Sequence, residues 1–337
     1  RLHSIFSNLK KTKKRIQGVL LAMKFEDIIS VENLLLAWSE FIKGKRHKQD
    51  VIEFQLHLMD HIFDLHYSLK AKTYLHGHYE HFKINDPKPR DIHKASVRDR
   101  LLHHAIYRVL YPYFDKKFIS DSFSCRVGKG THKALDCFRD FAFKVSKNHT
   151  RTAWVLKCDI RKFFASIDHD ILKCIINHHM EDNESRWLLE RIIDSHSPGL
   201  PLGNLTSQLL VNIYMNEFDQ WVKHELKIKH YIRYADDFVL FHDRDRLRSL
   251  VPLIQDFLYQ QLKLTLHPTK CFIKTFASGM DFLGWVHFTD HRVMRTGTRR
   301  RMLARMSEAN LVSYAGLLKW GNTRKILSSL DFFIELA

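Results

Sequence analysis

The chain has 337 residues, of which 45% are hydrophobic and 27% charged, and this composition excludes an intrinsically disordered protein. The formal net charge of +17 favours a polyanionic partner, first nucleic acid and second an anionic membrane, over a basic surface that serves only solubility. Five scattered cysteines without a CxxC pair encode neither a disulfide framework nor a zinc knuckle, and no apolar run reaches transmembrane length. We therefore expect a cytoplasmic protein that does not enter a membrane.

Helical and extended segments alternate along the first part of the chain. Residues 1–75 are predicted to be helical, because apolar positions recur three and four apart. Residues 79–91 are predicted to form short extended pieces, and residues 98–118 a helix. The N-terminal segment also carries a basic cluster, which is either a solvated tail or an arm that contacts RNA. This cluster consists of Lys10, Lys11, Lys13, Lys14 and Arg15.

The later part of the chain contains the strands that matter most for function. Residues 154–160 form a short apolar run typical of a buried strand, and residues 231–241 have the pattern of a hairpin. The other predicted elements are a helix that begins near Asp168, a loop at residues 199–204, helices at residues 205–226 and 246–262, strands around Phe272 and at residues 282–288, and a basic helical tail from about Arg299. The pattern predicts the α+β class.

Two adjacent carboxylates lie in the turn of the predicted hairpin, in the sequence Tyr234-Ala235-Asp236-Asp237. Both flanking segments are apolar, and carboxylates buried between apolar strands are costly unless cations compensate their charge. A turn that presents both carboxylates to a divalent metal removes this cost. The alternative is an exposed acidic turn, which fits less well with flanks that are this apolar.

A third carboxylate, Asp159, lies at the end of the predicted strand at residues 154–160. Polymerases need such a set, because two metal ions activate the primer hydroxyl and stabilise the pyrophosphate leaving group. Mg²⁺ is the expected ion, since a few carboxylates hold it while substrate phosphates supply further ligands. Either motif alone is a modest signal, whereas both in this order, with a glycine-containing loop between them, are specific to polymerase chemistry.

With these motifs the sequence resembles reverse transcriptases over residues 79–285. The ordered blocks of that family are present at residues 85–90, 123–130, 199–208, 234–237, 267–270 and 282–285, with the first catalytic block centred on Asp159. The resemblance implies an RNA-directed DNA polymerase with the right-hand fold of fingers, a palm with an antiparallel sheet and helices, and a short helical thumb. The expected segments are an N-terminal helical basic extension at 1–75, fingers and the start of the palm at 76–155, the palm with the catalytic blocks and primer grip at 156–290, and a basic helical thumb at 291–337.

The resemblance also implies the metal site and one further catalytic residue. Asp159, Asp236 and Asp237 would bind two Mg²⁺ ions, with Mn²⁺ as an alternative. The carbonyl of Ile160 would assist them. Lys270 matches the block whose lysine protonates the leaving pyrophosphate, and its alternative is a plain surface charge.

The substrate contacts follow from the same resemblance. Lys88 and Arg90 would clamp the triphosphate, and Phe164 matches the bulky residue that closes off the ribose 2′ position and so selects deoxynucleotides. The alternative for the primer-grip block is an ordinary core strand. The implied deoxynucleotide site consists of Lys88, Arg90, Phe164, Leu202, Gly203 and Gln208, and the implied primer grip of Phe282, Leu283 and Gly284.

The loop at residues 199–208 indicates a branch of the family. In the common pattern a Gln precedes the Gly and a Pro follows the Ser, whereas here these positions hold Leu202 and Gln208. The departure resembles the reverse transcriptases of diversity-generating retroelements, which copy a template RNA with errors at adenines and so diversify a target gene by mutagenic retrohoming. That branch implies a structured template RNA, a DNA or RNA primer, deoxynucleotides and a small basic accessory protein oligomer as partners.

A series of arginines near the end of the chain would hold the template and primer duplex through phosphate contacts, with a solvated helix face as the alternative. Two other functions remain open: an antiphage or abortive-infection reverse transcriptase, and a noncatalytic RNA-binding protein that keeps the polymerase fold. The three intact aspartates argue against the latter. The arginines of this series are Arg292, Arg295, Arg299, Arg300, Arg301 and Arg305.

Overall fold

The computed structural model describes residues 24–85 and 89–323, and these residues form two compact units. The first unit contains residues 24–85, 89–119, 160–221 and 255–265, and the second contains residues 120–159, 222–254 and 266–323. The chain therefore passes between the units several times.

The helices and strands of the described residues follow the predicted alternation. The helices are α1 (Phe25–Ile29), α2 (Val31–Phe41), α3 (Gln49–Leu56), α4 (Leu58–Lys70), α5 (Val97–Asp115), α6 (Thr131–Val145), α7 (His169–His179), α8 (Asn183–Asp194), α9 (Leu205–His224), α10 (Arg244–Leu262), α11 (Thr296–Ala304) and α12 (Glu308–Leu318). The strands are β1 (Glu80–Ile84), β2 (Arg90–Lys94), β3 (Trp154–Asp159), β4 (His230–Tyr234), β5 (Asp237–His242), β6 (Phe272–Thr275), β7 (Met280–Phe282), β8 (Trp285–His287) and β9 (Arg292–Met294).

The first unit is mainly helical, and polar side chains fix where several of its helices begin. Ser30 accepts a hydrogen bond from the Asn33 N–H at the start of α2, and Asp168 accepts one from the Ile171 N–H at the start of α7. The helical prediction for residues 1–75 is confirmed for the part that the structure describes. The extended prediction for residues 79–91 is also confirmed, because β1 and β2 pair as an antiparallel hairpin.

The second unit is built on a four-stranded antiparallel sheet with the order β4-β5-β3-β6. The two central strands are apolar along most of their length, and Val155, Leu156, Phe238 and Val239 are completely buried. Helix α6 packs on this sheet through Phe138, whose ring lies 5.1 Å from that of Phe241. The predicted strand at residues 154–160 and the predicted hairpin are confirmed.

A three-stranded antiparallel sheet, β7-β8-β9, completes the second unit together with α11 and α12. Its Phe282 joins the same core and lies 4.9 Å from the Phe138 ring. The helical prediction for the tail is confirmed for Thr296–Ala304 and Glu308–Leu318, but it was wrong for Arg292, which lies on β9. The guanidinium of Arg292 lies over the rings of Trp285 and Trp320, at 5.8 and 5.4 Å, which fixes it in the strand.

Candidate active site

The register of the central sheet brings the three predicted carboxylates together. Asp159, the last residue of β3, pairs directly with Asp237, the first residue of β5. Directly opposed residues on neighbouring antiparallel strands have their Cβ atoms about 5 Å apart. Tyr234 pairs with Asp237, so the turn that joins β4 to β5 consists of Ala235 and Asp236. All three carboxylates therefore lie at one end of one sheet.

A buried arginine supports the turn that carries these carboxylates. Ala235 has a positive φ of 55°, which is unusual for a residue other than glycine. Arg233 is fully buried and donates hydrogen bonds to the carbonyl of Ala235, at 3.2 Å, and to the hydroxyl of Ser122, at 3.1 Å. The sequence analysis missed this residue. The only indication of Arg233 in the sequence was a charged side chain within an apolar strand, directly before the Tyr234-Ala235-Asp236-Asp237 motif.

The carboxylates carry more negative charge than their surroundings compensate. Burial, followed by the nearby charges of Asp237 and Asp159, raises the pKa of Asp236 to about 6. Burial also raises the pKa of Asp237, although the ammonium of Lys157 opposes that rise. The Oδ1 atom of Asp237 is buried and has no hydrogen-bond partner among the described residues. Three converging carboxylates with an unpartnered oxygen are a set of donors that suits a hard divalent cation.

Two lysines provide the positive charge at this cluster, and they differ in exposure. The ammonium of Lys270 lies 2.8 Å from Oδ1 of Asp159, and its side chain is 37% exposed. The ammonium of Lys157 lies 3.6 Å from Oδ1 of Asp237, and its side chain is 9% exposed. Lys270 was predicted from the sequence, whereas Lys157 was missed. Ile160 follows Asp159 and is buried, as expected for the end of an apolar strand.

The predicted residues of the deoxynucleotide site that the structure describes belong to the first unit, whereas the three carboxylates belong to the second. The loop before α9 is tied to Phe164, because the Leu200 N–H donates to the Phe164 carbonyl at 2.8 Å. A side chain at Gly199, which has a φ of 63°, would meet that carbonyl at 2.2 Å. The same loop reaches the β1–β2 hairpin, since the His93 N–H donates to the Leu202 carbonyl at 3.1 Å.

Three further residues of this set have different surroundings. Gly203 has a φ of 112°, and a Cβ there would lie 3.2 Å from Ile92 on β2. Arg90 is exposed at the start of β2, and Gln208 is half-buried in the first turns of α9. Lys88 lies outside the described residues.

The predicted primer grip forms the tight turn between β7 and β8. Phe282 pairs with Trp285, so Leu283 and Gly284 are the two turn residues, and both have positive φ values, 49° and 87°. A two-residue hairpin loop with two positive φ angles is a type I′ turn. Phe282 is fully buried in the core, as the alternative for this block expected. The turn residues are thus the part of the block that remains available to a ligand.

The arginine series separates into two groups. Arg292 donates to the Trp320 carbonyl, and Arg295 forms an ion pair with Asp281, so both take part in internal contacts. The side chains of Arg299, Arg300, Arg301 and Arg305 are exposed. The basic cluster of Lys10, Lys11, Lys13, Lys14 and Arg15 lies outside the described residues. Among the helices in the described part of the chain, none combines the length and apolar character needed to cross a bilayer.

Similar proteins were found by sequence and by structure. The chain is 25% identical to protein YkfC of Escherichia coli over 277 residues, which cover 67% of this chain and 70% of YkfC. It is 22% identical over 292 residues to the group II intron-encoded protein LtrA of Lactococcus lactis, covering 65% of this chain and 47% of LtrA. This chain thus spans about half the length of LtrA.

Solved structures of apo telomerase from Candida tropicalis share the fold at 13% identity. One has a TM-score of 0.50 and covers 64% of this chain and 48% of the telomerase chain. A form truncated from the C-terminal domain has a TM-score of 0.51 and covers 71% and 60%, respectively. With the mixed helices and antiparallel sheets described above, this likeness confirms the right-hand polymerase fold.

The family model for "Reverse transcriptase (RNA-dependent DNA polymerase)" matches residues 83–287. This match spans more than half of the chain and contains the three aspartates, the loop at residues 199–208 and the primer-grip turn. The predicted enzyme class, an RNA-directed DNA polymerase, is confirmed by it. The chain belongs to the reverse transcriptase family.

Proposed function

We propose that this chain copies a structured template RNA into DNA, with Asp159, Asp236 and Asp237 holding two Mg²⁺ ions, or Mn²⁺ in their place. The observation that carries this proposal is the convergence of three carboxylates at one sheet end, where the pKa of Asp236 is raised to about 6 and Oδ1 of Asp237 has no hydrogen-bond partner among the described residues. The ions would supply activation of the primer hydroxyl and stabilisation of the pyrophosphate. The carbonyl of Ile160 is the proposed additional ligand.

Lys270 is the proposed proton donor to the departing pyrophosphate. Its side chain is long and more than a third exposed, so its ammonium can leave Asp159 and reach a bound triphosphate. In the free protein it compensates the charge of Asp159 at 2.8 Å. In this proposal Lys270 compensates the charge of Asp159 before substrate binds and donates a proton to the pyrophosphate afterwards.

The first unit supplies the proposed deoxynucleotide contacts. Phe164 packs beneath the ribose and excludes a 2′ hydroxyl, and the Leu200 hydrogen bond to its carbonyl fixes the neighbouring loop. Because the His93 N–H binds the Leu202 carbonyl, the loop and the strand that begins with Arg90 are held together. The complete proposed set is Lys88, Arg90, Phe164, Leu202, Gly203 and Gln208.

The nucleic acid is held by basic and turn residues. We assign the primer terminus to the Leu283-Gly284 turn beside Phe282, and duplex phosphates to the exposed arginines of α11 and its end. The Lys10 to Arg15 cluster is the proposed second phosphate contact. In this proposal, residues 1–75 are an N-terminal basic extension, residues 76–155 form the fingers and the start of the palm, residues 156–290 complete the palm, and residues 291–337 form the thumb.

The proposed branch is that of the diversity-generating retroelements, and it rests on the loop at residues 199–208. Leu202 occupies the position where a Gln precedes the Gly in the common pattern, and Gln208 the position of the Pro. On this proposal the enzyme misincorporates opposite template adenines during mutagenic retrohoming. Its partners are the template RNA, a DNA or RNA primer and a small basic accessory protein oligomer.

Two experiments test the proposal at its two levels. Changing Asp236 and Asp237 to alanine should abolish DNA synthesis and leave RNA binding intact, because these carboxylates hold metal rather than RNA. Persistent synthesis in this double variant would remove the metal site from consideration.

Sequencing of the cDNA made by wild-type protein on its cognate RNA tests the branch. Errors concentrated at template adenines support it, and a spectrum without adenine bias favours the antiphage alternative.

A further inference from the structure

Lys157 is a buried lysine that joins the carboxylate cluster to a second element of the fold. Its ammonium lies 3.6 Å from Oδ1 of Asp237 and donates a hydrogen bond to the Asp281 carbonyl at 3.0 Å. The residue is 7% exposed. A lysine is rarely buried to this degree unless its charge is paired, so these two contacts explain why it is tolerated there.

The sheet register fixes the direction of the side chain. Alternate residues of a strand share a face, so Lys157 and Asp159 lie on the same face of β3. Lys157 pairs with Val239 and Asp159 with Asp237, so Asp237 is the diagonal neighbour of Lys157 on β5. Val239, which lies opposite Lys157, belongs to the hydrophobic core, so Lys157 leaves the core and enters the carboxylate cluster along this face of the sheet.

The second contact leads to the proposed primer grip. Asp281 is the middle residue of β7, and β7 ends at Phe282, directly before the Leu283-Gly284 turn. One ammonium therefore touches a proposed metal ligand and the backbone of the strand that carries the primer-grip turn. These two parts of the site must keep a fixed spacing, since the primer hydroxyl has to meet the metal-bound nucleotide.

Lys157 differs from Lys270 in a way that decides its role. The Lys270 side chain is 37% exposed and its ammonium binds the Asp159 carboxylate, so a ligand can displace it. The Lys157 side chain is 9% exposed and is held by a carboxylate and a backbone carbonyl together. Both of these contacts are with the protein itself.

We propose that Lys157 is a positioning residue for DNA synthesis, which holds the Asp237 carboxylate and strand β7 at a fixed separation so that the metal site and the primer terminus stay aligned. It touches neither substrate nor metal and acts through Asp237 and the Asp281 backbone. This inference rests on the proposed metal site and assigns a role to a residue outside it.

The test compares substitutions of Lys157 in the full chain on a preformed RNA template and DNA primer. Lys157→Met keeps the length and removes the charge, and replacing a buried charge by an apolar side chain often leaves stability unchanged. We expect kcat to fall about 10- to 100-fold, as misplacement by about 1 Å does. The KM for deoxynucleotide should change less than about threefold, because the nucleotide contacts lie elsewhere. Lys157→Arg should recover most of the lost kcat, since it restores the charge.

Mn²⁺ binding, followed by electron paramagnetic resonance without nucleic acid, separates positioning from loss of the metal. Lys157→Met should bind Mn²⁺ as tightly as wild type or more tightly, because a repelling positive charge has been removed. Lys274→Met, an exposed lysine on β6 of the same sheet, is the matched control and should match wild type in every measurement. If Lys157→Met does not fold, Lys157→Gln replaces it with the same expectations.

The outcomes are distinct for this inference and for the proposed function. A kcat within twofold of wild type, weaker Mn²⁺ binding, or no recovery in Lys157→Arg would each overturn the role of Lys157. Asp236→Asn is measured in the same assay. If Asp236→Asn is inactive while Lys157→Met is fully active, only the positioning role fails. If Asp236→Asn itself keeps synthesis, the proposed metal site fails and the inference fails with it.

Discussion

Asp236→Asn should stabilise the metal-free protein at neutral pH while abolishing DNA synthesis. The ionised carboxyl of Asp236 is partly buried beside two other carboxylates, and its pKa is raised from 3.8 to about 6. A shift of that size corresponds to up to about 3 kcal/mol of unfavourable free energy when the group is ionised in the folded protein. Asparagine has nearly the same shape and carries no charge, so it removes this cost.

The sign of the pH dependence follows from the direction of the shift. Because the folded pKa lies above the unfolded value, the folded protein binds the proton more tightly than the unfolded chain does. The stability contributed by the protonated carboxyl is complete below pH 3.8 and is lost as the pH rises through about 6. The stability advantage of Asp236→Asn should therefore grow between about pH 4 and pH 7 and then stay constant.

Urea denaturation in the presence of EDTA, at several pH values across that range, measures this difference directly. Adding Mg²⁺ should raise the stability of wild type more than that of the variant, since a ligand that binds only the folded state stabilises it. Asp245→Asn is the control, because the Asp245 side chain is 92% exposed and its replacement should change stability by less than about 0.5 kcal/mol. An advantage of Asp236→Asn that is absent at neutral pH, or that does not vary with pH, would refute the electrostatic reasoning.

Three further predictions concern the substrates. Phe164→Ala should raise ribonucleotide incorporation relative to deoxynucleotide incorporation in single-nucleotide extension assays, and an unchanged ratio would place the sugar gate elsewhere. Replacing the exposed arginines Arg299, Arg300 and Arg301 by glutamine should reduce the slope of log K for RNA binding against log salt concentration by roughly one unit per lost phosphate contact. An unaltered slope would show that these arginines form a solvated helix face and do not contact phosphate. Leu202→Gln should lower misincorporation opposite template adenine more than opposite other bases, by up to about tenfold for one gained hydrogen bond, and an equal error spectrum would contradict the role of Leu202.

The hairpin that carries Asp236 and Asp237 was predictable because its signals are local. Two apolar runs flank a turn of two residues, which is the pattern of a hairpin, and the two runs pair as β4 and β5. The same holds for β3, whose apolar run ends at Asp159. Both carboxylate motifs therefore follow from short stretches of sequence.

Helices α6 and α8 were not predicted, for different reasons. Helix α6 begins after Gly130, which provides no side-chain cap, so its N-terminus has no local signal. Helix α8 does carry such a signal, since Asp182 accepts hydrogen bonds from the N–H groups of Glu184 and Ser185. That capping aspartate, followed by an apolar face, would have been sufficient to predict α8, but the prediction from sequence did not use it.

The supporting residues of the site depend on pairings between distant parts of the chain. Lys157 meets the Asp281 carbonyl across 124 positions, and Arg233 meets Ser122 across 111. The amino-acid pattern around each of them indicates only a charged residue in an apolar strand. The partners that satisfy these charges lie outside the β4-β5-β3-β6 sheet, Asp281 on β7 and Ser122 in the segment that pairs with Arg233, and the sequence of one strand does not identify them. Arg292 was placed on a helix for the same reason, since its partner Trp320 lies on a distant segment.

The charges of the site show where positive charge is missing. Three carboxylates face two ammonium groups, of which Lys157 contacts Asp237 and Lys270 contacts Asp159. Asp236 has neither lysine as a close partner, and its pKa is raised to about 6. If Asp236 is a metal ligand, as proposed, a proton and a divalent cation compete for it, because a metal ligand must be ionised. On the proposed function, Asp159, Asp236 and Asp237 would hold the cation, and its binding would require loss of any proton on Asp236 and release of the Lys270 ammonium from Asp159. On the proposed function, the affinity of the free protein for Mg²⁺ should therefore rise as the pH increases through the pKa of Asp236, about 6, and level off at higher pH as the ionisation of Asp236 becomes complete.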